Sequence, residues 1–75
     1  MTLDRVRARS EVEIVSIPEG DARSQLMRMG ISEGVRVICS HKLAWGAIVL
    51  KARRQELAIG RKLAMTIHVK QTEAY

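Results

Sequence analysis

One stretch of this sequence has the spacing of an amphipathic α-helix, and no second stretch keeps that spacing over a useful length. Ala22, Leu26 and Met29 recur at four- and three-residue intervals, and Asp21 before them is a favourable N-cap residue. An open ferredoxin-like sandwich of helices on a sheet needs a second helix of roughly 10 residues. A single helix therefore argues against that fold and favours an architecture made mainly of β-strands.

A glycine ends the predicted helix. Gly30 suits the left-handed conformation that closes a Schellman motif at a helix C-terminus. Ile31 then takes the position from which a hydrophobic side chain packs back on the last turn, here on Leu26. The cap and the core are thus expected to stabilise each other.

Other segments alternate between apolar and polar residues, as strands with one buried face do. The first runs from Glu11 to Ile17 and changes phase between Ile14 and Val15, which predicts a strand with a bulge. Pro18 ends this strand because proline lacks the amide donor of a sheet ladder. Further strands are predicted at 35–40, 48–52, 57–59 and 65–70.

The links between the later strands are short. Arg53 and Arg54, or a link one residue longer, connect two predicted strands, which indicates a hairpin. Residues 61–64 are long enough only for a single helical turn. One bent strand, one capped helix and four short strands together predict a small antiparallel β-barrel with the helix over one opening.

Length and composition exclude several classes of protein. The chain has 75 residues and a net charge of +5, which predicts one domain over 1–75 with its core at about 8–70 and loose tails at 1–7 and 71–75. A single cysteine cannot form an internal disulfide, which favours a reducing, cytoplasmic compartment. No apolar run approaches the roughly 18 residues that cross a bilayer, so direct membrane insertion is not expected.

Few residues offer catalytic or metal-binding chemistry. Cys39 and His41 stand two apart on a predicted strand and could pair as nucleophile and base or as metal ligands. Cys39, however, alternates with Val37 toward the core, and a structural zinc site needs four ligands. Gly30 and Gly34 lack the lysine and hydroxyl residue of a phosphate-binding loop. We therefore expect no catalytic residues, no cofactor and no metal ligands.

Two surface features point to a binding role. Trp45 lies in a loop, where an indole serves either as an interface anchor or as a lid over the barrel. Basic pairs at Arg53–Arg54 and Arg61–Lys62 suit phosphates or an acidic protein surface. A nucleic-acid-binding barrel would also use aromatic stacking, which Trp45 and Tyr75 alone scarcely supply.

Residues 22–34, which read ARSQLMRMGISEG, resemble the helix-and-turn segment of the FeoA domain. Residues 56–59, followed by Ala64 and by 67–69, resemble its closing hairpin and last strand, so the similarity covers about 8–70. Two departures concern the partner more than the fold: FeoA domains often carry proline near the start of the strand at 47–49 and arginine where this chain has Gly60.

The resemblance implies a small SH3-like β-barrel without enzymatic activity. It also implies a cytoplasmic role in ferrous iron transport, through protein–protein contacts that bind and regulate the membrane transporter FeoB. Transition-metal binding is a property attached to the family, although an autonomous iron carrier needs ligands that this chain lacks. Two alternatives stay open: a small-barrel nucleic-acid-binding protein, and a stand-alone relative of the C-terminal domain of iron-dependent repressors. A 75-residue chain favours the transport role, with weak self-association through strand edges as a further possibility.

We expect the partner to contact an apolar cleft beside the helix end, strengthened by arginines. The predicted partner-binding residues are Leu26, Met29, Ile31, Leu43 and Trp45 for the apolar part and Arg53 and Arg54 for the charged part.

Overall fold

The alternating segments pair as one antiparallel sheet in the order β4-β3-β2-β1-β5 in a computed structural model that describes residues 1–72. The elements are β1 (Ser10–Ser16), α1 (Asp21–Arg28), β2 (Arg36–Lys42), β3 (Ile48–Ala52), β4 (Gln55–Ile59), α2 (Arg61–Ala64) and β5 (His68–Gln71), with a 3₁₀ turn at Leu3–Arg5. The prediction of a mainly-β fold with one short helix is confirmed. The hydrogen-bonded order is open, with β4 and β5 at its two ends.

β1 contains the bulge that its phase change predicted. Val12 and Ile14 are buried, whereas Val15 faces solvent and Ile17 is buried again. The pairing of β1 with β5 shifts register between Ile14 and Ser16, which lets residues on both sides of the slip reach the core.

The interior is aliphatic throughout. No polar or charged side chain is buried within residues 1–72, and the one buried thiol, that of Cys39, packs with the core. The largest buried aliphatic side chains come from the N-terminal segment, from every strand but β4, and from the residues after α1 and before β5: Leu3, Val6, Val12, Ile14, Ile31, Val37, Ile48, Leu50, Ile67 and Val69.

The N-terminal segment is part of the fold, so the expectation of a loose tail over 1–7 is wrong. Leu3 and Val6 are buried, at 0% and 1% exposure. The N–H of Val69 donates to the carbonyl of Met1 at 2.8 Å, so the segment also pairs with the outer edge of β5. A small domain gains both core volume and a covered strand edge from this arrangement.

The helix begins one residue earlier than expected. Gly20, with φ 137°, is the N-cap residue, and Asp21 is the first helical residue. The carboxylate of Asp21 still lies in the first turn, where a negative charge is favourable beside the unpaired N–H groups.

The C-terminus of α1 is the predicted Schellman motif. Gly30 adopts φ 83°, and its N–H donates to Met27 at 3.0 Å. The N–H of Ile31 donates to the carbonyl of Leu26 at 2.8 Å, and both of these side chains are buried in the core.

The C-terminal half follows the predicted hairpin and helical turn, with one difference. Arg53 and Arg54 form a two-residue turn between the paired residues Ala52 and Gln55. α2 is the expected single turn, but it holds Met65 through a hydrogen bond to Arg61, so β5 starts three residues later than predicted. Of the tail predicted at 71–75, Gln71 belongs to β5 and 73–75 lie outside the described residues.

Candidate partner-binding surface

An open cleft lies between the C-terminal end of α1 and the β3–β4 turn. Its volume is about 520 Å³, and three exposed arginines line it: Arg28, Arg53 and Arg54. Met29 and Gly30 complete it on the helix side and Gln55 on the strand side. We call these six residues the arginine cleft. It combines a partly exposed apolar side chain with three guanidinium groups, which suits a ligand with carboxylates and an aliphatic group.

A hydrogen bond between elements fixes the two walls of the arginine cleft. The side-chain amide Nε2 of Gln55 donates to the carbonyl of Met29, which is one of the unpaired acceptors at the end of α1. The β3–β4 turn is further set by Arg53, which adopts φ 59°. Positive φ at the first turn residue alone is the φ pattern of a type II′ hairpin turn, in which glycine is usual.

A second depression continues from the arginine cleft along β4. Its volume is about 220 Å³, and it runs between α1, β4 and α2. We call it the apolar groove, and its main lining residues are Gln25, Leu26, Met29, Leu57, Ala58 and Leu63. Met29, 38% exposed, belongs to both the cleft and the groove, so the two form one continuous surface.

The structure brings together some of the predicted binding residues. Met29, Arg53 and Arg54 meet in the arginine cleft, and Leu26 forms the floor of the apolar groove. Ile31 is only 1% exposed and has no surface to offer a partner. Its burial follows from the Schellman motif, which turns this side chain inward.

The other two predicted residues lie elsewhere. Leu43 and Trp45 belong to the β2–β3 turn, which is closed by the N–H of Gly46 donating to Leu43 at 2.9 Å. Trp45 is 73% exposed, so it is not a lid over the core. This turn and Arg53 stand at opposite ends of β3, whose five residues span about 16 Å.

An ion pair that sequence reasoning missed holds α1 in place. The two terminal guanidinium nitrogens of Arg23, Nη1 and Nη2, donate to the carboxylate of Glu33 at 2.6 and 3.0 Å, and Nη1 also donates to the carbonyl of Ile17 at 2.6 Å. The N–H of Ile17 donates to Glu33 at 3.3 Å. The hydrogen bond from Arg23, with help from backbone N–H groups, lowers the pKa of Glu33. This network joins the helix, the end of β1 and the loop after Gly30.

Arg28, Gln55, Leu57 and Leu63 also line the surface without having been predicted to do so. Arg28 directly precedes Met29, a predicted binding residue, and this adjacency could have identified Arg28 from the sequence. The other three depend on the packing of β4 and α2 against α1, which the sequence pattern does not specify.

Cys39 and His41 do not form a common site. Cys39 is fully buried, and burial raises the pKa of its thiol. The pairing of β2 with β3 shifts between these two residues, and His41 lies at the surface with Nδ1 3.1 Å from the hydroxyl of Ser40. Within residues 1–72, no three His, Cys, Asp or Glu side chains converge as metal ligands would. The described helices include none with the length and hydropathy of a membrane span.

Comparison with known proteins identifies the family. The FeoA domain model matches residues 1–71. Two solved structures cover most of the chain: a FeoA-like protein from Clostridium acetobutylicum is 28% identical with a TM-score of 0.83, over 100% of this chain and 90% of that one. An iron uptake regulatory protein (FeoA) is 25% identical with a TM-score of 0.79, over 95% of each chain.

A third structure, the FeoA protein from Chlorobium tepidum, has the same fold, with a TM-score of 0.88 at 24% identity over 97% of this chain and 71% of that one. No curated protein shows significant similarity to the chain. The match of the family model over nearly the whole chain agrees with the helix-and-turn segment at 22–34 and with the five-stranded fold. The protein belongs to the FeoA domain family.

Proposed function

We propose that this protein is a non-enzymatic accessory protein of ferrous iron transport. It binds the cytoplasmic region of a FeoB-type transporter and regulates that transporter. Membership in the FeoA family supports the role in iron transport. The aliphatic interior supports a role carried out by the outer surface, because the described core holds, apart from the isolated thiol of Cys39, no side chain that could serve as an acid, a base or a ligand.

The arginine cleft is the observation that supports partner binding most directly. Arg28, Arg53 and Arg54 surround Met29 in an open depression, and none of the three arginines forms an ion pair within the described part of the chain. Guanidinium groups that are not satisfied internally are available for carboxylates of a partner. Arginine and methionine are also enriched at protein–protein interfaces.

Trp45 fits the same interface as a second contact. A standard interface covers about 800 Å² on each partner, which corresponds to a patch roughly 30 Å across. The β2–β3 turn and the arginine cleft lie at opposite ends of β3, roughly 16 Å apart, a separation that a patch of that size can span. An exposed indole is a frequent energetic anchor in such patches.

The test is binding of the FeoB cytoplasmic region to wild type and to a double variant, Arg53→Gln/Arg54→Gln. We expect the double variant to bind at least about tenfold more weakly, a difference of about 1.4 kcal/mol. The matched control is Arg5→Gln/Arg7→Gln, which removes the same charge from two exposed residues outside the cleft. The emission of Trp45, the single tryptophan, should shift to shorter wavelength when wild type binds.

Equal losses in the two double variants would mean that net charge alone drives the association, and unchanged binding in both would remove the arginine cleft from the interface. The competing nucleic-acid function predicts affinity for DNA or RNA that falls steeply with salt, in proportion to the phosphates neutralised. Such binding, with no affinity for the FeoB region, would overturn the transport proposal.

A further inference from the structure

β4 presents an unpaired sheet edge to solvent. The two-residue turn makes Ala52 and Gln55 a hydrogen-bonded pair, so the pairs farther along β3 and β4 alternate between bonded and non-bonded positions. Glu56 and Ala58 occupy the non-bonded positions and therefore direct their N–H and C=O groups away from β3. Within residues 1–72, no backbone group from outside the hairpin bonds to either residue.

The opposite edge of the sheet, at β5, is covered. The N–H of Val69 in β5 donates to the carbonyl of Met1, and Thr2 forms a bridge with His68. The chain thus covers its β5 edge with its own first residues. Proteins usually protect an exposed edge with proline, a bulge or charged side chains. β4 has neither proline nor a bulge. Its one charged residue, Glu56, forms an ion pair with Lys51 at 3.4 Å, so that charge is balanced within the hairpin and does not protect the edge.

The apolar groove lies beside the exposed edge. Leu57 and Ala58 of β4 line it together with Leu26 and Met29 from the helix side. In a strand, successive side chains point to opposite faces. An extended segment paired with Glu56 and Ala58 would therefore place every second side chain toward the groove and the others toward solvent.

Positive charges stand at both ends of β4. Arg53 and Arg54 precede the strand, Arg61 and Lys62 follow it, and all four are exposed. A second copy paired antiparallel along β4 would bring the cations at one end of each strand against those at the other end of its partner. An acidic segment instead finds opposite charge at both ends, so charge complementarity favours a partner of that kind.

We propose that β4 binds an extended, acidic segment of a partner protein as an added strand, with aliphatic side chains in the apolar groove and carboxylates beside the flanking arginines. Backbone hydrogen bonds to Glu56 and Ala58 supply affinity, and the groove and the charges supply specificity. The proposal deepens the transporter-binding function and rests on it for the identity of the partner, while the mode of binding stands on the geometry of β4.

The first test uses a short synthetic peptide of alternating valine and glutamate with blocked termini, added to ¹⁵N-labelled protein. We expect chemical-shift changes along β4 and slower amide exchange at Glu56 and Ala58. The same peptide methylated on every second backbone nitrogen, in the phase that faces β4, should bind at least about tenfold more weakly, because its N–H groups can no longer donate to the carbonyls of β4. Replacing its glutamates with lysines should abolish binding.

The second test changes the protein. Ala58→Pro removes the outward N–H without removing a ladder bond to β3, and proline is tolerated at such edge positions. Ala58→Val at the same site keeps the N–H and is the matched control. Ala58→Pro should lose the peptide and Ala58→Val should retain it. The methylated peptide tests the same hydrogen bonds if Ala58→Pro does not fold.

The outcomes separate the two proposals. Strand addition would be overturned if folded Ala58→Pro and Ala58→Val bound the peptide equally well and if the wild-type protein bound the methylated and unmethylated peptides equally well. Dimerisation through β4 that Ala58→Pro abolishes, without peptide binding, would also overturn it and identify a second copy as the occupant. Binding of the FeoB region that survives Ala58→Pro but not Arg53→Gln/Arg54→Gln contradicts strand addition and supports the transporter proposal. Binding of the peptide with no affinity for the FeoB region supports strand addition and contradicts the transporter proposal.

Discussion

Gly30 is the residue on which the end of α1 depends. Its φ of 83° allows two hydrogen bonds, from its own N–H to Met27 and from the N–H of Ile31 to Leu26. Residues with a side chain adopt this conformation only at a cost, and β-branched ones at the highest cost. Because Met29 directly precedes this turn, the same glycine also sets the helix side of the arginine cleft.

Gly30→Val should lower the free energy of unfolding by about 1 kcal/mol or more. An added Cβ meets no atom within 4 Å, so the loss comes from backbone conformation and not from a clash. Gly60 has φ −64° and equally open surroundings, so Gly60→Ala is the matched control and should change stability by less than about 0.5 kcal/mol. Urea denaturation of the three proteins measures both effects; equal midpoints for Gly30→Val and wild type would contradict the cap assignment.

At the scale of elements, the position of α1 depends on the junction around Arg23 and Glu33. The helix buries only Leu26 deeply, so packing alone holds it weakly. The bidentate ion pair and the two hydrogen bonds to Ile17 add a polar attachment to the end of β1. The wall of the apolar groove that α1 provides is therefore set by electrostatics as well as by packing.

This junction should make stability depend on pH. The pKa of Glu33 is lower in the folded state than its ordinary value of 4.5, so its contribution is fully present above that value and is lost as the pH falls through the lower folded pKa. Glu33→Gln should therefore lower the melting temperature near neutral pH, and the difference from wild type should disappear in strong acid. Glu56→Gln, which affects a pair with both side chains about half exposed, should have little effect at any pH. A constant difference between Glu33→Gln and wild type across this range would contradict the assignment.

The elements that could be predicted from the sequence are those determined by residues close together in the chain. The bulge in β1 appears as a phase change at Val15, and the helix end appears as Gly30 followed by Ile31. The N-terminal segment was missed because the alternating arginines at 5, 7 and 9 mask Leu3 and Val6, whose three-residue spacing suits the 3₁₀ turn that forms there.

The candidate surface was predicted only in part, because residues far apart in sequence form it. Met29 and the arginine pair were identified from the helix end and the hairpin turn, and the structure brings them together. Leu43 and Trp45 were grouped with them, but β3 separates the two turns by its full length. The unpaired edge of β4 depends on the order of strands in the sheet, which no local pattern encodes.

At the scale of the whole molecule, stability depends on a small number of aliphatic side chains. A chain of this size has a single core that supplies only about 3–5 kcal/mol of net stability. The interior contains no aromatic side chain among the described residues, and Leu3 and Val6 contribute to it from outside the sheet. The loss of one large core side chain is therefore comparable with the total.

Leu3→Ala should leave the protein largely unfolded or close to its unfolding midpoint at room temperature. Truncation of a fully buried leucine costs about 2–5 kcal/mol, and Leu3 is 0% exposed. Val15→Ala, at a position that is 47% exposed, also shortens an aliphatic side chain to a methyl group and should retain a native thermal transition. Circular dichroism melts of the two variants measure the contrast. A native transition in Leu3→Ala would show that the first residues are not part of the cooperative unit.

The buried thiol of Cys39 can report how often the folded structure opens. The sulfur is the only one of its kind in the sequence, it is sealed among aliphatic side chains, and burial raises its pKa, which disfavours the reactive thiolate. An alkylating reagent can reach it only during an opening of the sheet. The rate of alkylation therefore counts those openings, without a label and without perturbing the arginine cleft.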